Sequence, residues 1–304
     1  MKHKLLILTI IAVLTSCSGN TIGERAQSSS FATSASAASP AQMRFHCADD
    51  TTEINTLLAR GAESGLKTGN ELMAFYGRQL LGTPYVAHTL EGTPEQLTIN
   101  IHQLDCTTFV ETLYALTRAT LERRLTWRDY AHNLENVRYR QGVMTDYSSR
   151  LHYMSDWLVD NIARSNVVDL TPDFSAVRYQ VKTLDFMTTH RDLYPALADD
   201  AIYRKMQSLE LGYHNHRFPY LPKGHLAKKG TCDKLREGDI VGLVTSKPGL
   251  DISHLGIIVK NEKGEVVLLD ASMSGGKVQI EPTTLHRQLS SSKTCPGVRL
   301  WRLK

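Results

Sequence analysis

Cys106 stands where the segment "QLDCTTFVETLYALTRATLERR", which begins at Gln103, passes from loop to helix. From Thr107 onward Phe109, Val110, Leu113, Leu116 and Leu121 recur at helical spacing. Asp105 is a good N-cap residue, which puts Cys106 in the first turn. The positive end of the helix dipole favours a thiolate there, whereas a structural cysteine sits as readily anywhere on the apolar face. Two later residues extend the set. His254 opens the strand-like run "HLGIIVK", and Asp270 ends the next strand, in "EVVLLDAS". With "NEKG" as a hairpin turn centred near Glu262, positions 254 and 270 oppose one another with their side chains on one face. A slip of one residue would part them. Taken singly, His254 reads as a core histidine and Asp270 as a turn or cap residue. Together with Cys106 they supply a nucleophile, a base and an orienting acceptor, the parts of a cysteine hydrolase.

The elements that must position these residues are a helical first half and a strand-rich end. Helical patterns cover about residues 51–62, 70–81, 106–123, 127–139 and 152–163. Another is expected from Pro195, a residue suited to a first helical position, to about Leu209. Short apolar runs follow: "GDIVGLV", "HLGIIVK", "EVVLLDAS", "KVQI" and "GVRLWRL". Helices followed by an antiparallel meander predict an α+β fold. "YHNHR", with His214 and His216, lacks a second ligand pair at zinc spacing and reads as a polar loop.

The opening "MKHKLLILTIIAVLTSCSGN" has two lysines, an apolar run from Leu5 to Leu14, and small residues ending at Cys17. That is the pattern of a secretory signal, too short for a spanning helix. Residues 18–45 are small and polar and read as a flexible tether, with an end-to-end distance on the order of 30 Å. Residues 46–304 suffice for one large domain. The formal charge of +4 includes Lys2 and Lys4, so the processed chain is near neutral and does not point to nucleic acid. Five cysteines are too few for a disulfide scaffold. With Cys17 and Cys106 set aside, at most one bridge can form among Cys47, Cys232 and Cys295.

The blocks "LDCTTFVE", "GDIV", "SHLGIIV" and "LLDAS" resemble the NlpC-type cell-wall hydrolases, a papain-like superfamily of cysteine peptidases and amidases. "LGTPYV", "SRLHYMSDW" and "GVRLWRL" resemble its N-acetylmuramoyl-L-alanine amidase-like branch. "LTSC", from Leu14 to Cys17, resembles a bacterial lipobox, in which cleavage precedes an acylated cysteine. These resemblances imply a papain-like fold and a lipid-anchored protein of the bacterial cell envelope, facing the periplasm. The expected partners are a muropeptide or peptidoglycan substrate and the membrane. By the same resemblance Cys106 is the nucleophile, His254 the general base and Asp270 the third group, where relatives usually carry histidine, asparagine or glutamine. Tyr85 matches a tyrosine that approaches the nucleophile, and no metal or cofactor is required. Aromatic faces stack on sugars and arginines pair with carboxylates, so the stretch from Arg138 to Trp157 is expected to line a glycopeptide groove. Its candidates are Arg140, Arg150, His152 and Trp157, with Asp105 beside the nucleophile. The implied reaction is cleavage of the N-acetylmuramoyl–L-alanine amide. The alternatives are a γ-D-glutamyl-diamino-acid endopeptidase and a non-catalytic glycopeptide-binding lipoprotein.

Overall fold

The computed structural model describes residues 38–304, so the Cys17 junction and most of the expected tether lie outside the described residues. In chain order come β1 (Met43–Phe45), α1 (Asp50–Glu63), α2 (Gly69–Gln79), β2 (Leu97–Ile99), α3 (Cys106–Leu121), α4 (Trp127–Arg138) and α5 (Met154–Ala163). They are followed by β3 (Val167–Asp169), β4 (Arg178–Lys182), α6 (Phe186–Thr189), α7 (Asp200–Leu211) and β5 (His216–Pro222). The chain ends with α8 (Lys229–Cys232), β6 (Ile240–Val244), β7 (Ile252–Lys260), β8 (Val266–Ser272), β9 (Lys277–Thr284), α9 (Leu285–Ser290) and β10 (Gly297–Leu303). This is an α+β fold: a helical N-terminal half and an antiparallel sheet ordered β4-β5-β10-β6-β7-β8-β9, with β3 also on β10.

Helix α3 is the centre of the helical half. It packs on α1, α2 and α4 and against β7 and β8. Its side chains are buried almost all round, from Thr108 to Thr120. Such a helix belongs in a core rather than on a surface. The sheet is covered on both faces: Ile257, Val259, Val267 and Leu269 join the helix-side core, while Ile258, Leu268, Leu243 and Leu300 join a second cluster with α9. Two-sided burial explains why "GDIVGLV" and "EVVLLDAS" are continuous apolar runs instead of alternating ones.

Four expectations are corrected. The segment read as tether through 45 already contains β1, which pairs in parallel with β2, and Ala38 is buried with its N–H donated to Glu135. The helix expected from Pro195 is broken at Asp199, whose carboxylate accepts the N–H groups of Ala201 and Ile202 and starts α7. "YHNHR" is not all loop: His216 opens β5, a strand disguised in the sequence by Pro219 and Pro222. The β7–β8 hairpin pairs Lys260 with Val266 and Ile257 with Leu269, so it centres on Lys263 rather than Glu262. Because that offset moves the partner by two residues, His254 and Asp270 are diagonal neighbours and still share one side of the ladder.

Candidate active site

Asp105 fixes the start of α3. Its Oδ1 accepts the N–H groups of Thr107 and Thr108 at 3.0 and 2.8 Å, and Thr108 Oγ1 accepts the Asp105 N–H at 2.8 Å. This reciprocal cap places Cys106 at the first helical position, half-buried. The Cys106 N–H makes no hydrogen bond among the described residues and is available to an oxyanion. Tyr85 reaches the site because its segment bridges the loop before Cys106: Leu104 N–H donates to Pro84 O at 3.0 Å and Val86 N–H to Leu104 O at 3.2 Å. Burial, with the sulfur of Cys106 and the carboxylate of Asp105 nearby, pushes the Tyr85 hydroxyl up to about 12. It therefore stays a proton donor at neutral pH.

His254 Nε2 hydrogen-bonds Asp270 Oδ2, which leaves Nδ1 for Cys106. Burial alone would depress the imidazole. The hydrogen bond to Asp270, the nearby sulfur of Cys106 and their charges overcome it and raise His254 from 6.5 to about 10. The carboxyl of Asp270 is itself raised, first by burial and then by Glu281, against the pull of His254. The diagonal reach depends on Gly256, which the register continues opposite Asp270. A Cβ at Gly256 would stand 2.9 Å from Asp270 Cβ and 2.9 Å from Leu269 O. The glycine inside "HLGIIV" is the signal that could have pointed to this close approach.

A cavity of about 140 Å³ is lined in part by His88, Glu91, Arg150 and His152 and by Asp105 and Thr107, the residues on either side of Cys106 in the chain; Cys106 and His254 are not in its wall. Of the residues expected to bind substrate, Asp105, Arg150 and His152 are therefore at the cleft. Arg150 is buried, with Nη2 on Glu91 at 2.8 Å, Nε near Glu95 at 3.8 Å and its guanidinium 4.7 Å above the Tyr147 ring. His152 precedes α5 rather than opening it and donates from Nε2 to Tyr147 O at 2.9 Å. Burial and the charge of Arg150 push it down to about 3, so it is neutral, with Nδ1 an acceptor.

Arg140 and Trp157 are not among the cleft residues. Arg140 is bidentate to Asp156 at 2.9 and 2.6 Å, and Trp157 is buried with its ring 6.3 Å from that of Trp301. The sequence reading missed the acids that hold the cleft's arginines. Glu111 pairs with Arg138 at 2.6 Å, both buried, and Arg138 also donates to Thr98 O at 2.9 Å. A glutamate set among Phe109, Val110 and Leu113 was the available sign of a buried partner.

An α+β fold in which a cysteine at a helix N-terminus meets a His–Asp pair from an antiparallel sheet has the arrangement of a nucleophilic hydrolase. The chain belongs to the family described as AmiA-like, N-acetylmuramoyl-L-alanine amidase-like, which it matches over residues 75–297. Its structure is similar to that of an N-acetylmuramoyl-L-alanine amidase from Bacteroides uniformis ATCC 8492, at 33% identity and a TM-score of 0.72, covering 78% of this chain and 99% of that one. A Bacteroides fragilis protein named as a candidate xylanase is 36% identical with a TM-score of 0.66, over 75% of this chain and 99% of that one. A Legionella pneumophila protein, 18% identical with a TM-score of 0.64, shares the fold over 83% of this chain and 94% of that one. No curated protein matches the sequence.

Proposed function

We propose that this protein is a papain-like cysteine amidase that cleaves the amide between the lactyl group of N-acetylmuramic acid and L-alanine in peptidoglycan fragments. The observation that carries the reading is His254, hydrogen-bonded to Asp270 and near enough to Cys106 for the sulfur to raise its imidazole. With the proton on His254, the sulfur attacks the amide carbonyl. The Cys106 N–H and the Tyr85 hydroxyl serve the oxyanion, and His254 returns its proton to the leaving amine. Water, deprotonated by His254, then releases the acyl group from sulfur. Family membership supports the choice of bond. We further propose that Cys17 carries the lipid that holds the enzyme in the cell envelope.

A glycosidase needs two carboxyl groups free to act on a sugar. Here Glu111 is bound to Arg138 and Glu91 to Arg150, which leaves Asp105 as the one carboxyl lining the cavity without a cationic partner among the described residues and counts against the name of the Bacteroides fragilis neighbour as a guide. One observation favours a second reading. Asp105 Oδ2 makes no hydrogen bond among the described residues and stands at the cleft, where it would suit the free ammonium of L-alanine in a γ-D-glutamyl endopeptidase substrate. The test is a muramyl-tripeptide beside the same tripeptide with a free N-terminus. Release of intact tripeptide from the first, with the second untouched, is the expected result; release of the diamino acid from the second overturns it.

A further inference from the structure

A second cysteine, histidine and aspartate meet away from the catalytic set. Cys47, Asp50 and His102 bring one ligand atom each to within 4.8 Å of one another. The segments are held side by side by the β1–β2 pairing and by His46 N–H on Ile99 O at 3.0 Å. The backbone around His102 is fixed by Asn100, whose Oδ1 accepts the N–H groups of His102 and Gln103, both at 3.0 Å.

Asp50 is fully buried, with 0% exposure. Its Oδ2 accepts the Cys47 N–H at 2.9 Å, but Oδ1 is buried without a hydrogen-bond partner, and so is His102 Nε2. These two unpartnered atoms face each other at 3.4 Å. A buried carboxylate oxygen without a hydrogen-bond partner is costly, and the nearest candidate donor, His102 Nε2, makes no hydrogen bond to it. The separation has a natural meaning. Two ligands bonded at about 2.0–2.1 Å in a tetrahedral shell lie about 3.4 Å apart. On the far side of the ring Nδ1 faces the exposed carboxylate of Glu53 at 3.8 Å, beyond direct hydrogen-bond distance.

We propose that Cys47, Asp50 and His102 bind a borderline divalent cation of the zinc class, with solvent in the fourth position. The thiol of Cys47 gives its proton to solvent as the sulfur–metal bond forms, and Cys47, half-buried at the end of β1, is the member that closes on the ion. An oxygen, nitrogen and sulfur set suits zinc over magnesium or calcium, which take oxygen ligands. The bound ion would tie the N-terminus of α1 to the loop that ends at Cys106, four residues after His102. Cys47 and Asp50 precede the residues matched by the family, 75–297, and His102 lies within them.

The test uses the full chain carrying Cys106→Ala, which removes the thiol at the proposed catalytic site, freed of metal by chelator and titrated with Co²⁺. One equivalent should bind, with a thiolate-to-cobalt charge-transfer band and tetrahedral ligand-field bands, and Zn²⁺ should displace it. Cys47→Ser on that background should lose the charge-transfer band. His102→Ala and Asp50→Asn should each weaken binding at least tenfold, and Zn²⁺ should raise the Tm of the parent but not of these variants. Alkylation of Cys47 in the parent, followed by peptide mass, should be slowed by Zn²⁺, which keeps the test valid if a variant fails to fold. No saturable binding, or an unchanged band in Cys47→Ser, means that His102 and Asp50 form only an ion pair and overturns the proposal.

Discussion

The molecule contains two sets of cysteine, histidine and aspartate, and their geometries differ in kind. In Cys106–His254–Asp270 the histidine is shared: one ring nitrogen meets the carboxylate, and the other is left for the nearby sulfur. In Cys47–Asp50–His102 the three ligand atoms converge, and the nitrogen and oxygen that approach to 3.4 Å are both without hydrogen-bond partners. A histidine so shared suits proton transfer, as catalysis requires. Convergence on one point suits a cation, because every member offers a lone pair to the same place. On the roles proposed, identical residue types would carry different chemistry, and the backbone that aims them would decide which.

The largest expected effect separates the two sets outright. Cys106→Ala and His254→Ala should each lower amidase turnover by at least about 10³-fold, with circular dichroism unchanged. The double variant should be little worse than either single one, since both remove parts of one step. Additive losses, or turnover surviving Cys106→Ala, would sink the catalytic set.

Asp270→Asn should cost less, about 10²-fold in kcat, and should move the pH profile. The raised His254 means that its imidazolium, and the stability it contributes, is fully present below about 6.5 and is lost as pH rises through about 10. Removing the carboxylate removes an interaction that favours the charged ring, so the alkaline limb of kcat/KM should shift to lower pH. An unmoved limb in Asp270→Asn would show that Asp270 only fills space.

Gly256→Ala probes the diagonal that the catalytic set depends on. The added methyl carbon would stand 2.9 Å from Asp270 Cβ and 2.9 Å from a backbone oxygen that cannot swing away. A stability loss of about 1–3 kcal/mol is expected from denaturant unfolding, with a fall in kcat and little change in KM. Wild-type stability and rate would mean that His254 reaches Asp270 by another path. The smallest effect belongs to the convergent set. Glu53 is exposed and 3.8 Å from His102 Nδ1, so Glu53→Gln should weaken Co²⁺ binding by less than the roughly tenfold typical of closer outer partners, with amidase turnover untouched. A loss as large as that of His102→Ala would make Glu53 a direct ligand and redraw the site.

What the sequence by itself determined was local. An N-cap aspartate before an apolar helical repeat is enough to put Cys106 at the start of α3, because caps and periodicity act over one or two turns. The terminal strands were legible from their apolar runs, and the "NEKG" turn with Gly264 at φ 74° marks the hairpin that brings His254 to the side of Asp270. Tertiary structure decided what depends on partners far along the chain. It set the two-residue offset across Gly256, took Trp157 into the core, turned Arg140 to Asp156, and paired Arg150 with Glu91 and Glu95. It also brought Cys47 and Asp50 beside His102, some fifty residues away, by pairing β1 with β2. Neither β1 nor β2 is long enough to announce itself in sequence. Three-residue strands carry too little periodicity to be read, and packing of the neighbouring helices is what holds them in place.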